Sequence, residues 1–153
     1  MSTPEERIAE LGLALPADTP PLAAYVPAVR TGNLVYTSGQ LPRLNGELTH
    51  VGTVGAGVTP EEAKKAAQAC ALNALAAIKA EIGELSGVRR VVKVVGFVAS
   101  TPDFTGQPAV VNGASELLGE VFGDAGVHAR SAVGVAALPL GVPVEVEMIV
   151  EVG

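Results

Sequence analysis

Among the side chains able to do chemistry, Arg130 and Glu145 stand out by type and spacing. Arg130 is the only Lys or Arg from residue 94 to the C-terminus, and it opens a charge-free stretch, Ser131 to Val144. A guanidinium in such surroundings needs an acceptor, because burying an unpaired charge is costly. Two readings follow. Glu145 or Glu147 could pair with it across a hairpin, a purely structural role. Alternatively the acceptor is a ligand carboxylate, gripped bidentately. Glu145 has the same duality, either a solvated sheet carboxylate or a base that positions water. Tyr25 is a packed strand aromatic or a hydroxyl donor in a site.

Other chemistries lack their residues. His50 and His128 are far apart, Cys70 is the single cysteine, and neither HExxH nor paired CxxC occurs, so no metal is expected. GTVGAG at 52–57 has its glycines in the wrong order for GxGxxG, and no GK[ST] follows it. Thr37-Ser38-Gly39-Gln40 is not a GxSxG elbow, so Ser38 is not expected to be an activated nucleophile. Cys70 lies in an Ala-rich run and reads as a small buried hydrophobe.

Elements that would position these groups can be read from the pattern. Residues 4–12 make a short helix, with Pro4 in its first turn and Gly12 at its end. A Pro-rich loop follows, so that 1–20 form a helix-and-loop extension of one domain, 1–153. Tyr25–Val29 and Leu34–Thr37 read as strands joined by a turn at Arg30–Asn33. The glycines of 45–58 mark hairpin or loop. The clearest helix is 60–82: Thr59 caps it, Pro60 takes N1, Glu62 completes a capping box, and Gly83 stops it. Val91–Ala99 is apolar on both parities, as in a central strand. A second long helix covers about 108–122, burying Val110, Ala114, Leu117 and Val121, with Asn112, Ser115 and Gly119 on its other side.

Two strands close the chain. In Ser131–Leu138 one parity, Ala132, Gly134, Ala136 and Leu138, is nearly all small, which implies a close neighbour; Arg130 shares that parity. From Val142, apolar residues alternate with Glu145, Glu147 and Glu151, the period of a half-buried strand. The order ββ–α–β–α–ββ predicts an α+β domain with a mixed sheet and two helices on one face.

Composition narrows the classes. The chain has 153 residues, 48% apolar but 3% aromatic and 17% charged, against a usual ~25% charged. Disordered chains are charge-rich and apolar-poor, so disorder is excluded. No run reaches the ~20 apolar residues of a spanning helix. The start, MSTPEER, shows no basic region leading into an apolar one, and a cytoplasmic protein is expected. Ten basic residues against sixteen acidic give a net charge of −6, which argues against nucleic acid as partner. Apolar content this high for one small domain hints at oligomerisation.

Four stretches together resemble the reactive intermediate deaminase (Rid, or YjgF-type) family, once labelled L-PSP endoribonuclease. They are YVPAVRTGNLVYTSGQLP at 25–42, the Gly52/Gly55 loop, VVKVVGFVAS at 91–100 and ARSAVGVAALPLGVPVEVEMIVEV at 129–152. The likeness covers nearly everything after residue 20. Ala132, where relatives often carry Cys, and Ala23-Ala24, where they carry Gly-Pro, mark a divergent subgroup. The resemblance implies a chorismate-mutase-like protomer and a homotrimer with a barrel core and clefts between subunits. It implies that Arg130 binds a substrate carboxylate, Glu145 positions or activates water, and Tyr25 stands at the cleft mouth. Ser38, Gly39, Asn112 and Ala132 would line the pocket. The implied reaction is cofactor-free hydrolysis of 2-enamine or 2-imine acids, such as 2-aminoacrylate, to 2-keto acid and ammonia. A keto-acid-binding or regulatory trimer is the alternative, and an endoribonuclease a third.

Overall fold

The computed structural model describes residues 2–17 and 24–153. Its elements are α1 (Pro4–Glu10), β1 (Ala28–Thr31), β2 (Leu34–Thr37), β3 (Arg43–Leu44), β4 (Glu47–Leu48), β5 (Thr53–Val54) and β6 (Gly57–Val58). These are followed by α2 (Pro60–Ile82), β7 (Val88–Ala99), α3 (Gln107–Phe122), β8 (Ala129–Val135) and β9 (Val144–Val152). Five strands form one mixed sheet in the order β1-β2-β9-β7-β8. Within this sheet only the β7–β8 pair is parallel.

Local chemistry accounts for the ends of these elements. The Thr59 hydroxyl accepts from the Glu62 amide at 3.1 Å, while the Glu62 carboxylate accepts from the Thr59 amide at 3.0 Å. That is the capping box the sequence predicts. The first hairpin is tighter than expected: β1 starts at Ala28 and runs through Arg30 and Thr31. Only Gly32 and Asn33 remain as loop, with Gly32 at φ 58°. Asn45 and Gly46, at φ 53° and 80°, turn β3 into β4 as a two-residue hairpin requires.

Both long helices cover one face of the sheet. Val35, Val91, Val94, Val98, Val144, Val146, Met148, Val150 and Val152 point there and are buried. The predicted α3 stripe Val110, Ala114, Leu117 and Val121 joins that core, as do ten residues of α2. Small residues matter most where helix meets helix. A Cβ on Gly113 of α3 would collide with the Lys64 carbonyl of α2. On the sheet, Gly96 of β7 leaves room for the Val111 side chain. The N-terminal helix is stitched to the same layer: Ile8 is buried, Arg7 donates to the Val121 carbonyl, and Glu5 accepts from Lys79 and the Leu85 amide.

The last two strands correct one expectation. β8 and β9 are not a hairpin, because β7 lies between them. The cause is the crossover: α3 carries the chain from β7 into a parallel neighbour, which lands on β7's outer side. The chain then returns through a turn at Pro139–Gly141 to β7's other edge. β8 is also shorter than the predicted Ser131–Leu138 strand and begins at Ala129. Among the described residues, no helix is long and apolar enough to cross a membrane.

Candidate active site

Strand register decides which faces the candidate groups occupy. Arg130 lies opposite Val94 on β7, and Val94 opposite Met148 on β9. Both neighbours are buried under the helices, so Arg130 emerges on the helix-covered side, where α3 meets it. Its Nη1 donates to Asn112 Oδ1 at 2.7 Å and to Ser115 Oγ at 3.2 Å. Neither Glu145 nor Glu147 is its partner, which corrects the hairpin ion pair. Ala132 follows two residues on, opposite Gly96, and packs against the core. Asn112, expected to line the site, therefore does meet Arg130.

Glu145 belongs to the opposite face. It pairs with Phe97, whose other neighbour is Val133, and this parity carries no helix. The carboxyl group is half-buried. Burial, and secondarily the Glu147 carboxylate on the same face, push its pKa up from the ordinary glutamate value. The TSGQ loop closes on it from the side through a bridge between Gln40 and Val146. Gly39 sits so near that a Cβ there would collide with Glu145 Oε2. Ser38 ties the loop to the segment before β1, its hydroxyl donating to the Val26 carbonyl at 2.6 Å and its amide to the Pro27 carbonyl at 2.8 Å. Tyr25, at the head of that segment, is 61% exposed.

The structure thus brings the predicted residues together in two groups. Arg130, Asn112 and Ala132 form one, on the α3 side. Glu145, Gly39 and Ser38 form the other, with Tyr25 one residue before the Val26-Pro27 segment that Ser38 holds. Within the chain β7 separates them.

Two residues that the sequence reading left out of the site prove central to the first group. Ser115 lies one helical turn after Asn112, and His128 lies two residues before Arg130 on the same strand parity. His128 Nε2 is 2.9 Å from Ser115 Oγ, and its Nδ1 is 2.6 Å from the Gly126 carbonyl. The i,i+3 spacing of Asn112 and Ser115 was the available clue.

The open face also holds a cavity of about 200 Å³, lined by Tyr36, Lys93, Val95, Glu147 and Ile149 among others. A larger one, about 470 Å³, lies between the segment after α1, the β3–β4 hairpin and α2, and none of the predicted site residues lines it. Cys70 is buried, donates to the Val144 carbonyl, and has its thiol pKa pushed up by burial. It is a packing residue, as expected. Among the described residues, no three His, Cys, Asp or Glu side chains gather where they could hold a metal ion.

Comparison with known proteins gives a consistent picture. A family model described as "YjgF/chorismate_mutase-like, putative endoribonuclease" matches residues 5–152. Protein TCP17 of Trypanosoma cruzi is 47% identical over 142 residues, covering 92% of this chain and 89% of that protein. The 2-iminobutanoate/2-iminopropanoate deaminase of Dermatophagoides farinae is 33% identical over 138 residues, with 90% and 93% covered. Among solved structures, the Agrobacterium tumefaciens protein Atu1372, of unknown function, superposes with a TM-score of 0.93 at 49% identity. That match covers 99% of this chain and 94% of that one.

Proposed function

The chain belongs to the YjgF/chorismate-mutase-like family, and from that membership we propose that it is a hydrolytic deaminase of 2-imino and 2-enamino acids. The observation that carries the reading is the state of Arg130. Its guanidinium has neutral partners, Asn112 and Ser115, and no carboxylate partner among the described residues. One edge of a fixed, positively charged fork is left for a ligand's carboxylate. The imine deaminase among the relatives supports the same class of substrate.

The chemistry asks little of the protein. An imine carbon is already electrophilic, so the protein must hold the carboxylate, place a water and move protons. Glu145 takes a proton from the water as its oxygen bonds to C2. As the C2=N bond opens, nitrogen receives that proton and a neutral carbinolamine forms; Glu145 then carries the C2 hydroxyl proton to the same nitrogen as the C–N bond breaks, and ammonia leaves a 2-keto acid. A carboxylate whose pKa is raised by burial is a stronger base than an exposed one, provided it is ionised. No cofactor takes part in this scheme.

In one protomer Arg130 and Glu145 stand on opposite sides of the sheet, so the site we propose lies between subunits. The open face, with Val29, Tyr36, Val95, Phe97, Val133 and Ile149, is the surface that a homotrimer would bury. Tyr25, Ser38 and Gly39 would line the cleft with Glu145. That same separation favours a second reading, a keto-acid-binding trimer without turnover, should Glu145 of no subunit approach a bound carboxylate. A net charge of −6 disfavours the ribonuclease.

The test is ammonia release from 2-aminoacrylate generated in situ by a dehydratase. Purified protein is expected to accelerate it, and Arg130→Ala to abolish the acceleration. Unchanged release at high protein concentration overturns the deaminase. Binding of a 2-keto acid without turnover, seen by calorimetry, would establish the second reading instead.

A further inference from the structure

The groups around Arg130 form one chain of hydrogen bonds, and elementary chemistry gives it a direction. The Gly126 carbonyl can only accept, so His128 Nδ1, 2.6 Å away, carries the proton. In the neutral ring Nε2 is then bare, and it accepts the Ser115 hydroxyl proton across 2.9 Å. The serine oxygen, its hydrogen turned to the imidazole, presents only lone pairs to Arg130 Nη1 at 3.2 Å. Asn112 Oδ1 takes the other Nη1 hydrogen at 2.7 Å.

Both hydrogens of Nη1 are thereby used, and three N–H donors remain, one on Nε and two on Nη2. Nη1 is the nitrogen cis to Cδ, so its use removes the end-on fork. The Nε and Nη2 hydrogens, which run parallel along the other edge, stay available. That edge matches a carboxylate approaching side-on with two parallel hydrogen bonds.

We propose that Ser115 and His128 are positioning residues: the His128 ring orients the Ser115 hydroxyl, and the oriented hydroxyl locks Arg130 to receive a substrate carboxylate side-on through Nε and Nη2. This inference rests on the reading of Arg130 as the carboxylate clamp. It adds that the clamp's geometry is set two residues away from the substrate. Without the imidazole, the serine hydroxyl is free to rotate its hydrogen toward the guanidinium, and the arginine loses one of its two tethers.

Two measurements on the full-length protein test it. The first needs no substrate. The chain has two histidines, so the ring resonances missing from His128→Gln identify His128 in a nitrogen–proton correlation spectrum. The Nδ1–H tautomer is expected, with faster exchange of the Arg130 Nε proton in Ser115→Ala. An Nε2–H or doubly protonated ring, or unchanged exchange, overturns the proposal.

The second measures 2-oxobutyrate affinity by calorimetry and the KM–kcat split for deamination, in variants whose melting temperatures match the parent. Ser115→Ala is expected to weaken binding and raise KM about 10-fold, the scale of one hydrogen bond to a charged group, with kcat within about twofold. His128→Gln places an amide oxygen where Nε2 sat and retains affinity. His128→Asn keeps only the donor to Gly126 and loses it. The reverse order, with Asn tolerated and Gln not, would mean that the bond to Gly126 merely anchors the strand, and would overturn the proposal. A parent protein that binds no 2-keto acid sinks the deaminase and the carboxylate clamp, while the tautomer and exchange data still decide the Ser115–His128 lock.

Discussion

The two faces of the five-stranded sheet are built from alternate residues of the same strands, yet the chain's own helices cover only one. On one side Val94, Val98, Val146, Met148 and Val150 are buried under α2 and α3. On the other, one residue out of step, Val29, Tyr36 and Val133 stay 53%, 43% and 44% exposed. Glu145, Glu147 and Lys93 stand among them. The covered face has what a core needs: apolar side chains and small residues at the helix contacts, with Arg130 at its β8 edge held by neutral partners. The open face mixes large apolar groups with half-buried carboxylates. Burial within the chain is what raises the Glu145 pKa. Val91–Ala99 shows the difference within one strand. It is apolar on both parities, but its own chain covers only one.

Substitutions on either side should therefore fail in different ways. Leu75→Ala, in the middle of α2 and fully buried, should cost about 3 kcal/mol through lost transfer energy and a cavity. Denaturant unfolding measures it, and a loss below about 1 kcal/mol would mean the helix layer is loosely packed. Tyr36→Glu should do the opposite. Its cost to the protomer should be within about 0.5 kcal/mol, as for an exposed site. Sedimentation, though, should show the assembly reduced to monomers. A protein that stayed oligomeric would place the interface elsewhere.

Gly39→Ala separates stability from function more finely. The added methyl meets the end of the flexible Glu145 side chain rather than backbone. Little stability should be lost, while the carboxylate is displaced and deamination falls roughly 10-fold. Equal activity in the variant would remove Glu145 from the site. The smallest effect is on pH. Because the folded-state pKa of Glu145 is raised, its ionised form is the one the fold disfavours. That penalty is complete above the raised pKa and absent below the unfolded value, about 4.3. Glu145→Gln should thus be slightly more stable than the parent at pH 7. Its advantage should vanish on acidification through the carboxylate range. Melting temperatures at pH 7 and pH 4 check the sign.

How much was legible in the sequence depended on the range of the interaction. Thr59, Pro60, Glu62 and Gly83 mark the ends of α2 because capping is settled within four residues. The alternation from Val142 onward marks β9 because side chains of a strand alternate whatever lies beside it. Arg130 was conspicuous because it is a lone charge in a long apolar stretch. The positions of Ser115 and His128 were equally visible, but nothing local joins them, since their contact exists only once α3 lies against β8. The hairpin expected from the last two strands failed for a related reason. Proximity along the chain favours pairing, but the crossover through α3 had already placed β8 on the far side of β7.

By itself, the sequence determined the helices, the caps of α2 and which parity of β9 is apolar, along with the family. All of these depend on neighbours within a few residues or on patterns that survive without coordinates. Tertiary structure alone decided that Arg130 and Glu145 face opposite sides of the sheet, that neutral side chains hold the arginine, and that the helices cover one sheet face only. These depend on strand order and register, which the packing of α2 and α3 on the sheet selects across separations of tens of residues. No local propensity reaches that far.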